Sequence, residues 1–195
     1  MGADRTALHP FRLLLEGPPK VGKTTVVEQL VKLLAGAGVP VGGFVTREVV
    51  GSDGRRIGFK VHDLAGPEAW IAHQDFDTGI RVGRFGVDKV AFEQVALVAL
   101  QRAARLARDQ DGVAIIDEIA RMELTSADFT QSIETIFARP AAVVATVHVS
   151  EHPVTDALKR RSDIELITVT EVNRDDLPSQ LFHQLASPAT HGDPV

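Results

Sequence analysis

The sequence predicts an α/β protein in three layers, with helices on both faces of a mostly parallel sheet and an antiparallel β insertion. Most of the chain alternates short, uniformly apolar runs with helical patterns, and such strands are typical of parallel sheets buried on both sides. Two β-rich stretches, residues 41–50 and 56–64, flank the sequence Gly-Ser-Asp-Gly at 51–54, which is typical of a hairpin turn. We therefore expect this hairpin to supply the antiparallel insertion.

The predicted elements follow one another in a regular order. An apolar run at residues 11–16 breaks at Gly17-Pro18-Pro19, and helical spacing follows over residues 24–34, which predicts a strand, a loop and a helix. The remaining predicted elements are the two hairpin strands, a short strand at 69–72, a helix at 88–110 capped by Asp88, a strand at 113–116, a helix at 127–138, a strand at 141–149, a helix at 153–159, a strand at 164–169 and a last helix capped by Asp175 or Asp176. In the longest helix, Arg102, Arg105 and Arg108 share a face that we interpret as solvated.

The composition is typical of one globular domain. With 195 residues, 44% of them hydrophobic, we expect a single domain over residues 1–186 and a flexible tail over 187–195. The net charge of −5 makes nucleic acid an unexpected partner, and nothing in the sequence indicates a protein partner. The absence of cysteine excludes disulfides and cysteine-ligated metals. Because no apolar run approaches the roughly 18 residues of a membrane span and residues 1–10 lack the apolar core of a signal peptide, we expect a soluble cytoplasmic protein with no membrane partner.

Residues 17–24, the phosphate loop, read GPPKVGKT and fit the pattern G-x-x-x-x-G-K-[ST] between a strand and a helix. The backbone amides of such a loop surround phosphate, Lys23 reaches the β- and γ-phosphates, and the Thr24 hydroxyl holds Mg²⁺. Lys20 adds a second cation, which either contacts phosphate or faces solvent. The predicted nucleotide-binding residues are Gly17, Pro18, Pro19, Lys20, Val21, Gly22, Lys23, Thr24 and Thr25, with Asn173 as a loose base contact.

Two carboxylates end the apolar strand that begins at Val113. Ligands collect at the carboxyl ends of parallel strands, so we expect Asp117 to order Mg²⁺ through water. Side chains alternate along a strand, so Glu118 points elsewhere and is the candidate base for an attacking water. The alternative for Glu118 is a surface acid at the end of a strand.

Seven stretches together resemble the cancer-related nucleoside-triphosphatase family, small P-loop proteins also known from thermophilic bacteria and archaea. They are GPPKVGKTT at 17–25, GFVTREV at 43–49, GRRIGFKVHDL at 54–64, VGRFGVD at 82–88, IIDEIARMEL at 115–124, ATVH at 145–148 and VTEVNRDDLP at 169–178. The resemblance spans residues 11–186 and implies a P-loop NTPase fold of the additional-strand, catalytic-glutamate type. It also implies Mg²⁺-dependent hydrolysis of ATP, GTP, CTP and UTP with little base discrimination. The 94 positions from Lys23 to Asp117 leave room for the additional strand.

The sequence departs from the family pattern at three places. Lys20 stands where the family usually has glycine, Ala120-Arg121 where it has Gly-Lys, and Phe85 where it usually has tyrosine. Hydrolysis develops charge on the γ-phosphoryl group, which a cation beyond Lys23 usually stabilises. The candidates are Lys20, Arg84 and Arg121, and the sequence does not choose among them.

Two other functions are compatible with the same residues. A small-molecule or nucleoside kinase transfers phosphate to a hydroxyl whenever an acceptor excludes water, and the insertion at 41–72 would build the acceptor pocket. A nucleotide-dependent switch would use slow hydrolysis only to time the release of a partner.

Overall fold

The computed structural model describes residues 11–109 and 111–186. Its elements are β1 (Arg12–Gly17), α1 (Lys23–Gly36), β2 (Val41–Val50), β3 (Arg56–Asp63), β4 (Glu68–His73), β5 (Arg81–Val82), β6 (Phe85–Val87), α2 (Lys89–Asp109), β7 (Val113–Ile119), a 3₁₀ turn (Glu123–Thr125), α3 (Ala127–Ala138), β8 (Ala142–His148), α4 (Pro153–Lys159), β9 (Glu165–Thr168) and α5 (Leu177–Ala186). The tail predicted at 187–195 lies outside the described residues, and the domain boundary at 186 stays a prediction.

The strands of the described residues form one nine-stranded sheet in the order β5-β6-β4-β3-β2-β7-β8-β1-β9. From β2 to β9 each neighbouring pair is parallel, and from β2 to β5 each is antiparallel. This is the predicted architecture, a mostly parallel sheet with an antiparallel extension built from the hairpin. The prediction of the fold class is therefore confirmed.

The parallel strands are apolar throughout because helices cover both of their faces. Leu13 and Leu15 of β1 pack in the core beneath α1 and α5, whereas Leu14 packs in the core beneath α2 and α3. This alternation follows from the two-residue period of a strand. Burying each leucine or phenylalanine side chain stabilises the fold by roughly 1.5–3 kcal/mol. These two cores therefore hold the carboxyl ends of the strands rigidly in place.

Side-chain caps fix the start of two of the helices. The Asp88 carboxylate accepts a hydrogen bond from the Ala91 amide at 2.9 Å, as predicted for α2. The Ser126 hydroxyl accepts one from the Phe129 amide at 3.1 Å and so begins α3. Among the described residues, no helix is both long enough and apolar enough to cross a membrane.

The spacing from Lys23 to Asp117 predicted that the additional strand lies between these two residues in the chain. This prediction is wrong. The strand that separates β1 from β7 is β8, which follows Asp117 in the chain. Residues 24–116 instead supply α1, α2, β2 and the antiparallel strands. The spacing could not show whether the additional strand precedes or follows Asp117, because spacing along the chain does not give the spatial order of strands.

One arginine on the predicted solvated face of α2 has a buried partner. The Arg102 guanidinium donates to both carboxylate oxygens of Asp63, each at 3.0 Å, and Asp63 is 1% exposed. A buried carboxylate needs such a charged partner because the desolvation of an unpaired charge is costly. The interpretation of Arg102 as solvated was therefore wrong, and this ion pair ties α2 to the end of β3.

Candidate functional site

The phosphate loop runs from the end of β1 into the start of α1. Gly22 has a φ of 113°, in the left-handed region that glycine adopts without strain, and it directly precedes the first helical residue, Lys23. A Cβ at Gly17 would lie 2.8 Å from Val21 Cγ1 and 3.1 Å from the Val169 carbonyl oxygen. The first amides of a helix lack intrahelical acceptors, so this turn leaves them available to an anion.

Lys23 is a buried cation held by two oxygens. Its side chain is 7% exposed, and Nζ donates to the Gly17 carbonyl oxygen at 2.9 Å. Nζ also lies 3.2 Å from Oε1 of Glu118 at the end of β7. The predicted phosphate cation and the predicted base are therefore direct neighbours.

Asp117 lies in the sheet beside the start of α1. Its carboxylate is 1% exposed, and Oδ1 accepts a 2.6 Å hydrogen bond from the Thr146 hydroxyl of β8. Within the described residues Oδ2 has no hydrogen-bond partner. Burial raises the pKa of Asp117 to about 7, the hydroxyls of Thr146 and Thr24 oppose this shift, and the charge of Glu118 adds to it. A buried carboxylate oxygen without a partner, beside the Thr24 hydroxyl, is a donor set that suits a hard cation such as Mg²⁺.

Glu123, in the 3₁₀ turn after β7, adds a third carboxylate to the site. Its side chain is 3% exposed and lines the same cavity as Glu118. Burial raises the pKa of Glu123 to about 8, the charges of Glu118 and Asp117 add to the shift, and the backbone amides of Glu123 and Ala120 oppose it. The site therefore concentrates negative charge that a cation or a proton must compensate.

A cavity of about 670 Å³, here called the site cavity, opens beside the phosphate loop. The ends of β7 and β8 and the β2–β3 hairpin complete its walls. Of the predicted residues, it brings together Glu118, Arg121, Pro19, Lys20, Gly22, Lys23, Thr24 and Thr25. A cavity of this size accommodates a phosphorylated small molecule.

Other predicted residues lie away from the cavity wall. Gly17, Pro18 and Val21 belong to the phosphate loop but are not among the residues that line the cavity in the described structure. Arg84 stacks on the Phe85 ring, with Cζ 5.0 Å from the ring centroid, and it donates to the Arg56 carbonyl oxygen.

Asn173 belongs to the loop between β9 and α5. Its Oδ1 accepts from the Thr170 amide at 2.8 Å, and its Nδ2 donates to the Thr168 carbonyl oxygen at 2.9 Å. Both ends of the amide are thus used to shape the loop, and the predicted base contact stays a prediction.

Sequence reasoning missed four kinds of residue at the site. Thr146 is a polar residue between apolar neighbours in β8, and that contrast was the available signal. Glu123 follows the acidic pair but resembles a surface acid in sequence. Arg174, in the loop that precedes α5, donates to the Val21 carbonyl oxygen at 3.2 Å and so supports the phosphate loop. The hairpin pair Glu48 and Arg56 lines the site cavity, which no local pattern indicates.

A phosphate loop at the start of a helix, together with a buried aspartate near the end of an apolar parallel strand of the same sheet, defines the class of P-loop nucleotide-binding proteins. Within that class, the family model described as NTPase matches residues 12–182, and the chain belongs to this family. The resemblance noted in the sequence is therefore confirmed.

Relatives from distant organisms match the chain over most of its length. Nucleoside-triphosphatase THEP1 of Thermotoga sp. strain RQ2 is 37% identical over 175 residues, which is 90% of this chain and 95% of that protein. The human cancer-related nucleoside-triphosphatase is 36% identical over 180 residues, 88% of this chain and 93% of that protein. The crystal structure of THEP1 from the hyperthermophile Aquifex aeolicus superposes with a TM-score of 0.81 at 33% identity, covering 91% of this chain and all of that one.

Proposed function

We propose that the protein hydrolyses nucleoside 5′-triphosphates to the diphosphate and inorganic phosphate in the site cavity. The observation that carries this proposal is the 3.2 Å contact between Lys23 Nζ and Glu118 Oε1. It joins the cation that binds the terminal phosphates to the carboxylate that would activate water. The names of the relatives, which are nucleoside-triphosphatases, support the same reaction.

In this reaction the phosphate loop binds the triphosphate through its amides, and Lys23 leaves the Gly17 carbonyl oxygen and Glu118 to contact the phosphate oxygens. Glu118, freed from the lysine, accepts a proton from water as the water oxygen attacks the γ-phosphorus. The bond to the bridging oxygen breaks, and the nucleoside diphosphate leaves with that oxygen. Glu118 thus acts as the general base and Lys23 as an electrostatic stabiliser.

Mg²⁺ is part of the proposal, and the residues fit it. Thr24 and Asp117 would hold the ion, with the partnerless buried Oδ2 of Asp117 as the supporting observation. When bound, Mg²⁺ neutralises charge on the β- and γ-phosphates. The Thr146 hydroxyl orients Asp117 for this task by holding Oδ1.

We also propose that the enzyme tolerates different bases. The amide of Asn173 is engaged on both sides by backbone groups, so it is poorly available to read the edge of a base. Discrimination of 10⁴ or more generally needs buried polar partners that the wrong ligand leaves unpaired. We expect kcat/KM for purine and pyrimidine triphosphates to agree within about a hundredfold.

Initial rates with ATP, GTP, CTP and UTP test this function directly. Phosphate release is measured with and without candidate nucleosides, and the Glu118→Gln variant serves as the background. Release without an acceptor supports the hydrolase, and turnover only with an acceptor supports the kinase. A slow reaction that ends in a tight diphosphate complex supports the switch, and strong preference for GTP would contradict base tolerance.

A further inference from the structure

The β2–β3 hairpin contributes a charged wall to the site cavity. Glu48 of β2 and Arg56 of β3 both line the cavity, together with Lys20 of the phosphate loop. Neither hairpin residue belongs to the phosphate loop or to the acidic strand end. The hairpin therefore brings a second set of charges to the place where the triphosphate would bind.

One carboxylate in this wall holds two cations. Arg56 Nη2 lies 2.5 Å from Glu48 Oε2, and Lys20 Nζ lies 3.6 Å from Glu48 Oε1. Although burial raises it, the pKa of Glu48 lies below its usual value because Arg56 and Lys20 stabilise the charged form. The Glu48 carboxylate thus bridges the Arg56 guanidinium and Lys20 of the phosphate loop.

Aromatic packing and a backbone hydrogen bond also hold Arg56 in place. Its Cζ lies 5.1 Å from the centroid of the Phe59 ring, and Phe59 packs edge-on against Phe85 at 5.3 Å. The carbonyl oxygen of Arg56 accepts a hydrogen bond from Arg84. In the described structure the Arg56 Nε is buried without a hydrogen-bond partner. Arg56 therefore lines the cavity, and its ion pair with Glu48 is made through the end of the guanidinium, at Nη2.

We propose that Arg56 is the arginine that contacts the terminal phosphoryl group during hydrolysis, and that Glu48 is its resting partner. The inference rests on the proposed function. A guanidinium pairs with phosphate in the same two-pronged geometry that it uses for carboxylate, so Arg56 exchanges one acceptor for the other. The contact strengthens as charge develops on the γ-phosphoryl oxygens, which makes it a transition-state interaction. Arg84 then acts as a positioning residue that supports the backbone of Arg56.

The other arginines of the cavity are less suited to this contact. Arg47 pairs with Glu28 at 2.8 Å, and among the described residues no cation of the phosphate loop pairs with that carboxylate. Arg121 is exposed, and no ion pair holds it within the described part of the chain. Arg56 alone among them shares its carboxylate with the phosphate loop.

The test compares Arg56→Ala with Arg55→Ala, because Arg55 is the neighbouring arginine and its side chain is 80% exposed. We expect Arg56→Ala to lower kcat by about 10²–10³ while the Kd for ADP changes less than about threefold. Affinity for ADP with aluminium fluoride, which mimics the transition state, should fall by a similar factor as kcat. Arg55→Ala should match the wild type in all three measurements.

Glu48→Gln supplies a second readout with the opposite sign. Removing the resting carboxylate frees Arg56 and Lys20 and removes a negative charge from a phosphate site. We expect ADP to bind roughly three- to tenfold more tightly, with product release slowed accordingly. This effect does not depend on Arg56→Ala being well folded.

Several outcomes would overturn the inference. They are an Arg56→Ala enzyme with wild-type kcat, a loss of kcat matched by an equal loss of ADP affinity, or a transition-state analogue that binds the variant as tightly as the wild type. If Arg56→Ala fails to fold by circular dichroism, Arg56→Lys replaces it, and wild-type kcat in that folded variant together with unchanged ADP affinity in Glu48→Gln contradicts the proposal. If the wild type itself releases no phosphate, the proposed function fails instead.

Discussion

The two halves of the sheet hold their cations in different ways. In the parallel half, Lys23 is 7% exposed and is fixed by a backbone carbonyl oxygen and by Glu118. In the antiparallel half, Glu48 of the hairpin pairs with Arg56, whose side chain is 29% exposed, and reaches across to Lys20 of the phosphate loop, whose side chain is 71% exposed. Removing one partner of a buried ion pair strongly destabilises a protein. Exposed ion pairs contribute only about 0–1 kcal/mol to stability, so their members exchange partners readily. We infer that the parallel half is a rigid phosphate-binding scaffold and that the hairpin provides an exchangeable cation, Arg56.

The largest expected effect comes from the buried cation. Lys23→Ala removes the charge that we propose contacts the terminal phosphates, and we expect kcat/KM to fall by about 10³ or more while the far-ultraviolet circular dichroism is retained. Lys32→Ala, an exposed lysine on the same helix, is the matched control. Undiminished affinity of Lys23→Ala for ATP would remove the phosphate-loop assignment.

A smaller effect is expected from the buried hydroxyl that orients Asp117. Thr146→Val keeps the shape of the side chain but leaves Asp117 Oδ1 without its 2.6 Å hydrogen bond. We expect the apparent affinity for Mg²⁺, measured from the metal dependence of phosphate release, to fall by about 10–100-fold. Thr168→Val, at an exposed strand position, should leave that dependence unchanged. An unaltered Mg²⁺ curve in Thr146→Val would show that Asp117 is not oriented through this hydroxyl.

Glu123 gives the parallel half a pH-dependent stability. Its pKa of about 8 in the folded state exceeds the ordinary 4.5, so between these values the folded protein binds a proton that the unfolded chain does not. Stability from this group therefore rises as pH falls from about 8 towards 4.5, and the burial cost is largest above pH 8.

Removal of this charge should therefore stabilise the protein most at high pH. In urea unfolding without Mg²⁺, we expect Glu123→Gln to gain on the order of 1–3 kcal/mol relative to wild type at pH 8.5, compared with the same difference at pH 5. Glu134→Gln, at an exposed position of α3, is the control and should show no such trend. A difference that does not vary with pH would contradict the buried, protonated state of Glu123.

The smallest effect concerns the backbone at Lys20. This residue has a φ of 67°, a left-handed conformation that costs a non-glycine residue about 1 kcal/mol. Lys20→Gly should therefore raise the free energy of unfolding by about 1 kcal/mol over Lys20→Ala, which loses the same charge but keeps the Cβ. Equal stability of the two variants would show that the loop carries no strain at this position.

The sequence could place in one site those residues that a local pattern marks. Lys23 and Thr24 follow from one short motif, and Glu118 follows from the end of an apolar strand. Glu48 and Arg56 could not be found in this way, because the order of strands in the sheet brings them to the phosphate loop.

The features of the fold that the sequence did not predict are likewise those that no local pattern encodes. The long apolar strands and helices were predicted because their periodicity is repeated over many residues. The strands β5 (Arg81–Val82) and β6 (Phe85–Val87) are too short to show a period, and the spatial place of β8 is not a local property. Arg102 looked solvated because its partner Asp63 lies 39 residues away in the chain.

The central claim is that Glu118 activates the water that attacks the nucleotide. It is tested by measuring, in Glu118→Gln, both the Kd for Mg·ATP and the rate of phosphate release in a single turnover. The amide keeps the shape of the side chain but cannot accept the proton, so we expect nucleotide binding to be retained and hydrolysis to slow by about 10²–10⁴. Hydrolysis of bound ATP at the wild-type rate would contradict this assignment.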